Sequence, residues 1–310
     1  MEKLIVATSP HLRSTDTTHS IMRDVLIALL PATVASVVLF GFRAALMVLI
    51  CVASAVIAEA LFCLICKRPQ TVGDLSAAVT GLLLALNLPA KTALWQCAVG
   101  SVFAIIVVKC LFGGIGCNFA NPAITARIFM LISFGQVAGG SDTVFADQVA
   151  GATPLAAIKA GETAIPSLTD MLIGKHGGAI GETCAVALII GFIYLVVRRV
   201  IHWETPVIFV GTVFLLSLII KQDVSAAVYQ VLGGGLLIGA IFMATDYVTT
   251  PINRAGKWVF ALGCGIITVL IRFWGSYPEG VSFSILIMNI LSPYIEKWCA
   301  KKPLGGEKNA

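Results

Sequence analysis

Charged residues are scarce in this 310-residue chain: only 12% are Asp, Glu, Lys or Arg, about half the share in a soluble globular domain. The sequence also lacks a Gly-Lys-Ser/Thr phosphate loop, and no pair of its four histidines has metal-ligand spacing. Apolar residues are in excess instead, at 58% of the chain, and the mean hydropathy is +0.95. This balance argues against a disordered chain, a basic nucleic-acid-binding domain and a water-soluble enzyme. It predicts a polytopic membrane protein.

The cysteines and the N-terminal segment give no sign of a metal site or of processing. Most of the nine cysteines fall inside apolar runs, where a thiol behaves as a small hydrophobe. Cys63 and Cys66 form a CxxC pair without the matching second pair of a zinc site, so we expect no metal there. The first twenty residues are polar, and no cleavable signal peptide is visible.

Ten apolar runs are candidates for membrane-spanning helices, which need about twenty apolar residues. The runs are 21–40, 44–64, 75–88, 94–112, 123–134, 183–200, 206–220, 224–243, 258–273 and 281–294. The third, fifth and tenth runs are short, and short spans in a helical bundle often line a site. We therefore expect an all-α polytopic membrane protein with ten transmembrane helices.

An internal repeat relates the two halves of the chain. The hexapeptide that starts at Asp74 (Asp-Leu-Ser-Ala-Ala-Val) recurs at Asp223 as Asp-Val-Ser-Ala-Ala-Val. A Pro/Ala/Trp pattern around Trp95 is echoed around Trp258, with one residue inserted. Because each half holds five spans, an odd number, the second half is expected to be inverted relative to the first, an arrangement typical of folds with a polar site near the midplane.

The distribution of basic residues predicts the orientation. Alternating the ten spans places 14 Lys and Arg on one side and 6 on the other, with Arg127 inside the fifth span left out. The positive-inside rule then puts both termini in the cytoplasm of a bacterium or archaeon, with the chain in its cytoplasmic membrane. The expected parts are a cytoplasmic segment 1–20, a first repeat 21–134, an extracytoplasmic loop 135–180, a second repeat 181–295 and a cytoplasmic tail 296–310.

Six carboxylates lie near the apolar spans: Glu59, Asp74, Glu182, Glu204, Asp223 and Asp246. Glu59 falls within the second span, where an ionised carboxylate is costly, so it needs a neighbouring hydroxyl or a proton. Asp74 and Asp223 suit helix N-caps. For Asp74 and Asp246 a place in a cation path is the second hypothesis, since intramembrane carboxylates often line such paths.

A glycine-rich stretch, 112–123, runs into the fifth span. Its three glycines, with Asn118 and Asn121, favour a tight turn whose side-chain amides face a cavity. Asn121-Pro122 alone would be an ordinary helix start. Arg127 lies inside the fifth span and needs an anionic partner, for which a carboxylate and an anionic cofactor are the alternatives.

Five motifs together carry a family resemblance. They are Ser9-Pro-His11 with Ile21-Met22, Val79-Thr-Gly-Leu-Leu-Leu-Ala-Leu86, Lys109-x-x-Phe-Gly-Gly-Ile-Gly-x-Asn118-Phe-x-Asn-Pro-Ala123, Gly151-Ala-Thr153 and Met243-Ala-Thr-Asp246. On these motifs the whole chain resembles the family of D subunits of the Rnf electron-transport complex. It resembles more distantly the B subunits of the sodium-translocating NADH:quinone reductase. The glycine-rich block followed by Asp147-x3-Gly-Ala-Thr153 is the specific part.

The resemblance implies a covalent flavin. In the family the motif threonine, here Thr153, carries FMN through a phosphoester bond between its hydroxyl and the flavin phosphate. Asp147, Gly151 and Ala152 match the rest of the attachment motif. The family often has Ser or Thr where this chain has Ala150, a mild departure.

The resemblance also implies a noncovalent flavin, such as riboflavin, within the helical bundle. Asn118, Asn121 and Arg127 are the candidate residues for this flavin or quinonoid pocket.

The implied function is that of a membrane flavoprotein subunit in a redox-driven pump. Electrons would pass between reduced ferredoxin and NAD, coupled to export of Na+ or H+; the sequence leaves the ion and the direction of electron flow open. The implied partners are membrane lipid, small membrane subunits, an outward-facing flavoprotein, cytoplasmic iron–sulfur and NADH-oxidising subunits, and a flavin-attaching enzyme.

Two other functions are compatible with the pattern of spans. A small-solute channel or transporter without a redox centre would also have an inverted five-plus-five repeat. A purely structural membrane protein is the third possibility. Bound flavin distinguishes both from the redox function.

Overall fold

The computed structural model describes residues 17–134, 153–160, 166–275, 277 and 279–300, and within them it contains helices and no β-strand. The first half contains α1 (Thr18–Phe40), α2 (Phe42–Ile65), a 3-10 turn (Val72–Asp74), α3 (Ser76–Leu86), α4 (Leu94–Phe103, continued as a π-helix over Ala104–Cys110) and α5 (Pro122–Phe134). The rest contains α6 (Pro154–Ala160), α7 (Leu168–Ile173), α8 (Ala185–Val197), α9 (Glu204–Lys221), α10 (Val224–Leu232), α11 (Leu236–Ile238, continued as a π-helix over Gly239–Met243), α12 (Arg254–Trp274) and α13 (Val281–Cys299).

Each of the ten apolar runs holds a helix. Four helices, α1, α2, α9 and α12, are long and apolar enough to cross a membrane by themselves, and α10 with α11 makes a fifth if that bent pair is one span. The outer surface is apolar as well, with Val38, Phe42 and Ile65 each at least 75% exposed. An apolar exterior on long apolar helices is that of a multi-pass membrane protein.

Three elements differ from the sequence expectation. The eighth run, 224–243, is broken: α10 and α11 meet at an angle of 64° across three glycines, and Gly234 has φ of +67°. The tenth run is not short, because α13 continues to Cys299 through the internal Pro293. The long connection between the halves also holds two short helices, α6 and α7.

Polar side chains fix several helix starts. The Thr17 hydroxyl accepts the Ser20 amide at 3.2 Å and the Ser20 hydroxyl accepts the Thr17 amide at 2.9 Å, which forms a capping box on α1. Asn121 Oδ1 accepts the backbone amides of Ala123 and Ile124, so the Asn-Pro pair does start α5. These bonds satisfy amides that have no partner within the helix.

Two basic residues of the orientation count are buried within the bundle. Lys109 is 2% exposed and Arg272 is 4% exposed. A cation inside the protein reports little about which side of the membrane a loop faces. Removing one residue from each side leaves 13 against 5, so the asymmetry persists.

Candidate functional site

A cavity with a mainly apolar lining and several polar residues lies between the two halves of the bundle. Its walls come from α1, α3, the π-helical end of α4, the glycine-rich connection before α5, the end of α8 and the chain after α11. Its polar lining residues are Ser76, Thr80, Lys109, Asn118, Asn121, Thr245, Asp246 and Tyr247. We call this space the central cavity. It brings together Asn118, Asn121 and Asp246, which the sequence analysis proposed from separate motifs.

One wall of the central cavity holds a buried ion pair. Lys109 Nζ lies 2.7 Å from Glu59 Oε1, and both side chains are 2% exposed. Lys109 also donates to Ser76 Oγ at 2.5 Å, and the Thr71 hydroxyl donates to Glu59 Oε1 at 2.7 Å. Glu59 thus has the hydroxyl partner expected from the sequence and a cation in addition.

One serine, Ser76, links Asp74 to the Glu59–Lys109 ion pair by hydrogen bonds. Asp74 Oδ1 accepts the Ser76 amide at 2.8 Å and the Ser76 hydroxyl at 2.5 Å, so it contacts the first residue of α3 from the 3-10 turn that precedes the helix. Since Ser76 Oγ also accepts from Lys109, a continuous hydrogen-bonded chain links Asp74 to Glu59. Asp223 is the N-cap of α10, and its side chain accepts the amides of Ser225 and Ala226. The capping expectation is therefore confirmed for Asp223, whereas the N-cap of α3 is Leu75 and Asp74 lies one residue before it.

The lining of the central cavity also includes Asp246 and the two asparagines. Asp246 lies in the connection between α11 and α12, outside the helices that cross the membrane. Its Oδ2 accepts from the Thr249 hydroxyl at 3.2 Å and lies 3.5 Å from Asn121 Nδ2. Burial raises the pKa of Asp246 above its ordinary value. Asn118 Oδ1 is buried and has no hydrogen-bond partner among the described residues, so it is available to a ligand donor.

Arg127 lies elsewhere, among the glycines that break α10 from α11. Its guanidinium donates to Glu279 Oε2 at 2.5 Å and to Asn87 Oδ1 at 2.9 Å. A Cβ on Gly235 would lie 3.1 Å from Arg127 and 3.0 Å from Glu182 Oε2, so the glycine makes room for this group. The structure thus gives Arg127 a carboxylate partner and separates it from the lining of the central cavity, where Asn118 and Asn121 lie.

Thr153 begins the short helix α6. Its side chain is 4% exposed, and its hydroxyl accepts the Ala156 amide at 3.3 Å without donating to any described residue. Esterification of this oxygen would therefore remove none of the hydrogen bonds seen here, which fits a phosphoester. Asp147, Gly151 and Ala152, the remaining residues of the attachment motif, lie outside the described residues.

The sequence analysis missed two partners. Lys109 enters there through the orientation count and the family motif but not as a partner of Glu59, and Glu279 does not figure at all. A spacing signal for Lys109 is present, because it follows Trp95 by 14 residues just as Arg272 follows Trp258. Nothing local in the sequence indicates that Glu279 pairs with Arg127, since 152 residues separate them. No group of three or more metal-ligating side chains occurs in the described part of the chain.

Fold and cavity together define a multi-pass helical membrane protein with charged groups buried between two halves of its bundle. The family model for NQR2, RnfD and RnfE matches residues 5–305. The chain belongs to this family.

Curated relatives match nearly the whole chain. One from Acetobacterium woodii, named as the D subunit of a Na(+)-translocating ferredoxin:NAD(+) oxidoreductase complex, is 46% identical over 98% of this chain and 96% of its own. The D subunit of a proton-translocating ferredoxin:NAD(+) oxidoreductase complex from Clostridium ljungdahlii is 37% identical over 94% and 93%. The D subunit of an ion-translocating oxidoreductase complex from Stutzerimonas stutzeri is 36% identical over 92% and 91%.

Proposed function

We propose that the chain is the D subunit of a redox-driven, ion-translocating ferredoxin:NAD+ oxidoreductase complex in the cytoplasmic membrane. The observation that carries this proposal is the 46% identity, over 98% of the chain, to a relative named as that subunit. The ion stays open between Na+ and H+, because relatives at 46% and 37% identity are named for one ion each. Its partners are the other membrane and peripheral subunits of the complex.

The proposal includes a covalent FMN on Thr153. The family motif supports this site, and so does a hydroxyl that acts only as an acceptor among the described residues. Bound there, the isoalloxazine supplies one-electron chemistry that no natural side chain provides. The chain anchors and positions it. Because Thr153 is 4% exposed, we expect a flavin-attaching enzyme to act on it before α6 packs.

The central cavity is the proposed place of a second, noncovalent flavin. The unpaired Asn118 Oδ1 supports it, because a flavin ring carries an N–H that this oxygen can accept. Lys109 and Asp246 set the charge around this space. Arg127 has no part in it, since its guanidinium is held by Glu279 and Asn87 outside the cavity.

Ten spans arranged as two inverted five-helix repeats fit this function, and reciprocal contacts support the arrangement. Arg127 of α5 bonds to the chain just after α3 and just before α13. The side-chain amide of Asn289, in α13, has one orientation in which both its nitrogen and its oxygen find hydrogen-bond partners. In that orientation Asn289 bonds to Thr249, after α11, and to Asn121, before α5. The fifth helix of each half thus makes equivalent contacts, as two inverted repeats require.

Flavin analysis tests the function and the Thr153 site together. The wild-type chain should fluoresce under ultraviolet light after denaturing electrophoresis and should release additional free flavin on denaturation. Thr153→Ala should insert normally and lose the covalent fluorescence but still release the free flavin. Thr163→Ala, in the same connection, is the control and should fluoresce normally.

Two results would contradict the proposal. Fluorescence in Thr153→Ala would show that the attachment site is wrong. A wild-type chain without any flavin would favour a small-solute transporter or a purely structural membrane protein.

A further inference from the structure

A second cavity, of about 140 Å³, lies beside α6 and is lined by three cations. Lys159 comes from α6, Lys221 from the end of α9 and Arg272 from α12. No carboxylate is among its described lining residues. The volume suffices for several water-sized groups. We call it the basic cavity.

The convergence of cations is unusual for this side of the molecule. With the buried Arg272 set aside, the charge pattern places only 5 basic residues on the side predicted to face outward, and two of these, Lys159 and Lys221, line the basic cavity beside Arg272. Basic residues on that face are depleted by the positive-inside rule, so orientation does not account for two of them lying beside a buried arginine.

The three cations keep donors free. Arg272 is 4% exposed and bonds to Gln230 and to the Gly233 carbonyl, but its Nε is buried and has no partner among the described residues. Lys159 Nζ donates to the carbonyls of Gly275 and Tyr277, at 2.5 and 3.1 Å, and has a third proton. Lys221 Nζ lies 5.6 Å from the centre of the Phe273 ring.

Carboxylates nearby do not balance this charge. Glu182 and Glu279 are close enough to attract Arg272 electrostatically, but Glu279 is already paired with Arg127 at 2.5 Å. Within the described residues, four cations therefore face two carboxylates. In the other half, the equivalent cation Lys109 has Glu59 at 2.7 Å, whereas no described carboxylate lies within 4 Å of Arg272. Among the described residues, the basic cavity therefore carries an excess of positive charge.

The surroundings indicate what kind of anion fits. The helices α9 and α12 that flank the cavity expose Ile219, Leu270 and Trp274 at 70%, 49% and 69%, which suits contact with acyl chains and a membrane interface. A cationic pocket beside an apolar, aromatic flank matches the phosphate and the chains of one phospholipid. We infer that the basic cavity binds the phosphate of an anionic membrane phospholipid through Lys159, Lys221 and Arg272.

Titration of the purified full-length chain tests this site. Phosphatidylglycerol should raise the melting temperature in detergent, and native mass spectrometry should count one retained lipid. Lys159→Gln with Lys221→Gln should weaken the apparent affinity by roughly tenfold or more, since each surface lysine contributes about 1 kcal/mol toward an anionic lipid. Lys175→Gln with Lys297→Gln removes the same charge at exposed positions outside the cavity and should behave like the wild type.

Two further arms separate lipid from other phosphates. Inorganic phosphate and phosphatidylcholine should each protect much less than phosphatidylglycerol, and Thr153→Ala should retain the lipid as the wild type does. The lipid assignment is overturned if the double lysine variant keeps its phosphatidylglycerol, if inorganic phosphate protects equally well, or if lipid binds only when Thr153 is replaced. The last result would mean that the phosphate on Thr153 occupies the cavity. If the lysine variants weaken lipid binding as expected, the lipid site is supported even when Thr153 carries no flavin.

Discussion

At the scale of single residues, Glu59 and Lys109 form the most deeply buried ion pair among the described residues. Both side chains are 2% exposed, and the nitrogen and oxygen are 2.7 Å apart. Removing two ions from water costs several kcal/mol for each, and their attraction together with the bonds from Thr71 and to Ser76 offsets that cost. Loss of one partner leaves the other charge buried and uncompensated.

We expect Lys109→Met and Glu59→Leu, made separately, to destabilise the fold by about 3–5 kcal/mol each. The double variant should recover most of this loss, because apolar side chains then replace both charges. Thermal unfolding in detergent measures the effect, and the exposed Lys297→Met should stay within about 0.5 kcal/mol. If the double variant is as unstable as the sum of the single ones, the pair is not the source of the effect.

The two candidate ion-path aspartates, Asp74 and Asp246, differ in their surroundings from Asp223, which caps α10. Asp74 and Asp223 each accept a hydrogen bond from the serine two residues later in the chain. Of these two serines, only Ser76 also accepts a hydrogen bond from Lys109. Asp246 lines the central cavity together with Ser76 and Lys109. A cation that sheds its water needs oxygen ligands and negative charge, which these carboxylates supply.

Asp74→Ala and Asp246→Ala should therefore reduce cation-dependent voltage generation by the complex in reconstituted vesicles, with Thr153 still flavinylated. Asp223→Ala removes the N-cap of α10, costs about 1 kcal/mol of stability and should leave transport unchanged. Full-rate voltage from both of the first two variants would end the ion-path hypothesis and leave local hydrogen bonding as their role.

Local chemistry makes some residue roles predictable. A buried arginine requires an anion, and Arg127 has one in Glu279; an Asn-Pro pair suits a helix start, and Asn121 caps α5. The identity of the arginine's partner is not predictable, because tertiary packing and not spacing brings Glu279 to it. The role of Lys109 is hidden for a related reason: a lysine at the end of an apolar run looks the same in sequence whether it faces water or a buried carboxylate.

At the scale of elements, close helix contact depends on glycine at defined points. A Cβ on Gly81 in α3 would lie 2.7 Å from the Cys51 carbonyl oxygen and 2.9 Å from the Val52 Cα in α2. Both are backbone atoms that cannot move aside. Gly211 in α9, by contrast, has nothing within 4 Å of the equivalent position.

Gly81→Ala should lower the melting temperature, since α2 and α3 would have to separate, at a cost of about 1–3 kcal/mol. Gly211→Ala should raise it slightly, by about 0.5–1 kcal/mol in free energy, because alanine is the better helix former. Thermal unfolding of the two variants side by side checks both signs. Equal changes in the two would mean that helix propensity outweighs the close contact.

The existence of the helices is easier to predict than their continuity. Apolar runs locate a helix in each of the ten places, but they do not predict the break between α10 and α11. Three consecutive glycines at 233–235 are the available signal. Their effect depends on what fills the space, here Leu155, Arg127 and Glu182, which lie close to the Cβ positions of these glycines. Those neighbours come from distant parts of the chain, and no window of sequence contains them.

At the scale of the whole molecule, the orientation in the membrane is judged from the basic residues that are not buried in the bundle. With Lys109 and Arg272 set aside as buried, 13 basic residues fall on the side of the termini and 5 on the other. Loop cations resist transfer across the membrane during insertion, so the richer side is retained in the cytoplasm. The connection between the two halves, with Thr153, is then expected to face outward.

Fusions of a reporter enzyme that is active only outside the cytoplasm test this orientation. A fusion at Gly161 should be active, because the connection between the halves is expected to face outward, and a fusion at the C-terminus should be silent. A reporter active only in the cytoplasm, placed at the same two positions, should give the opposite pattern and controls for expression. Activity of the outside reporter at the C-terminus, with silence at Gly161, would invert the topology and move the Thr153 flavin to the cytoplasmic face. Activity at both positions would instead mean an even number of spans after Gly161 and would break the five-plus-five repeat.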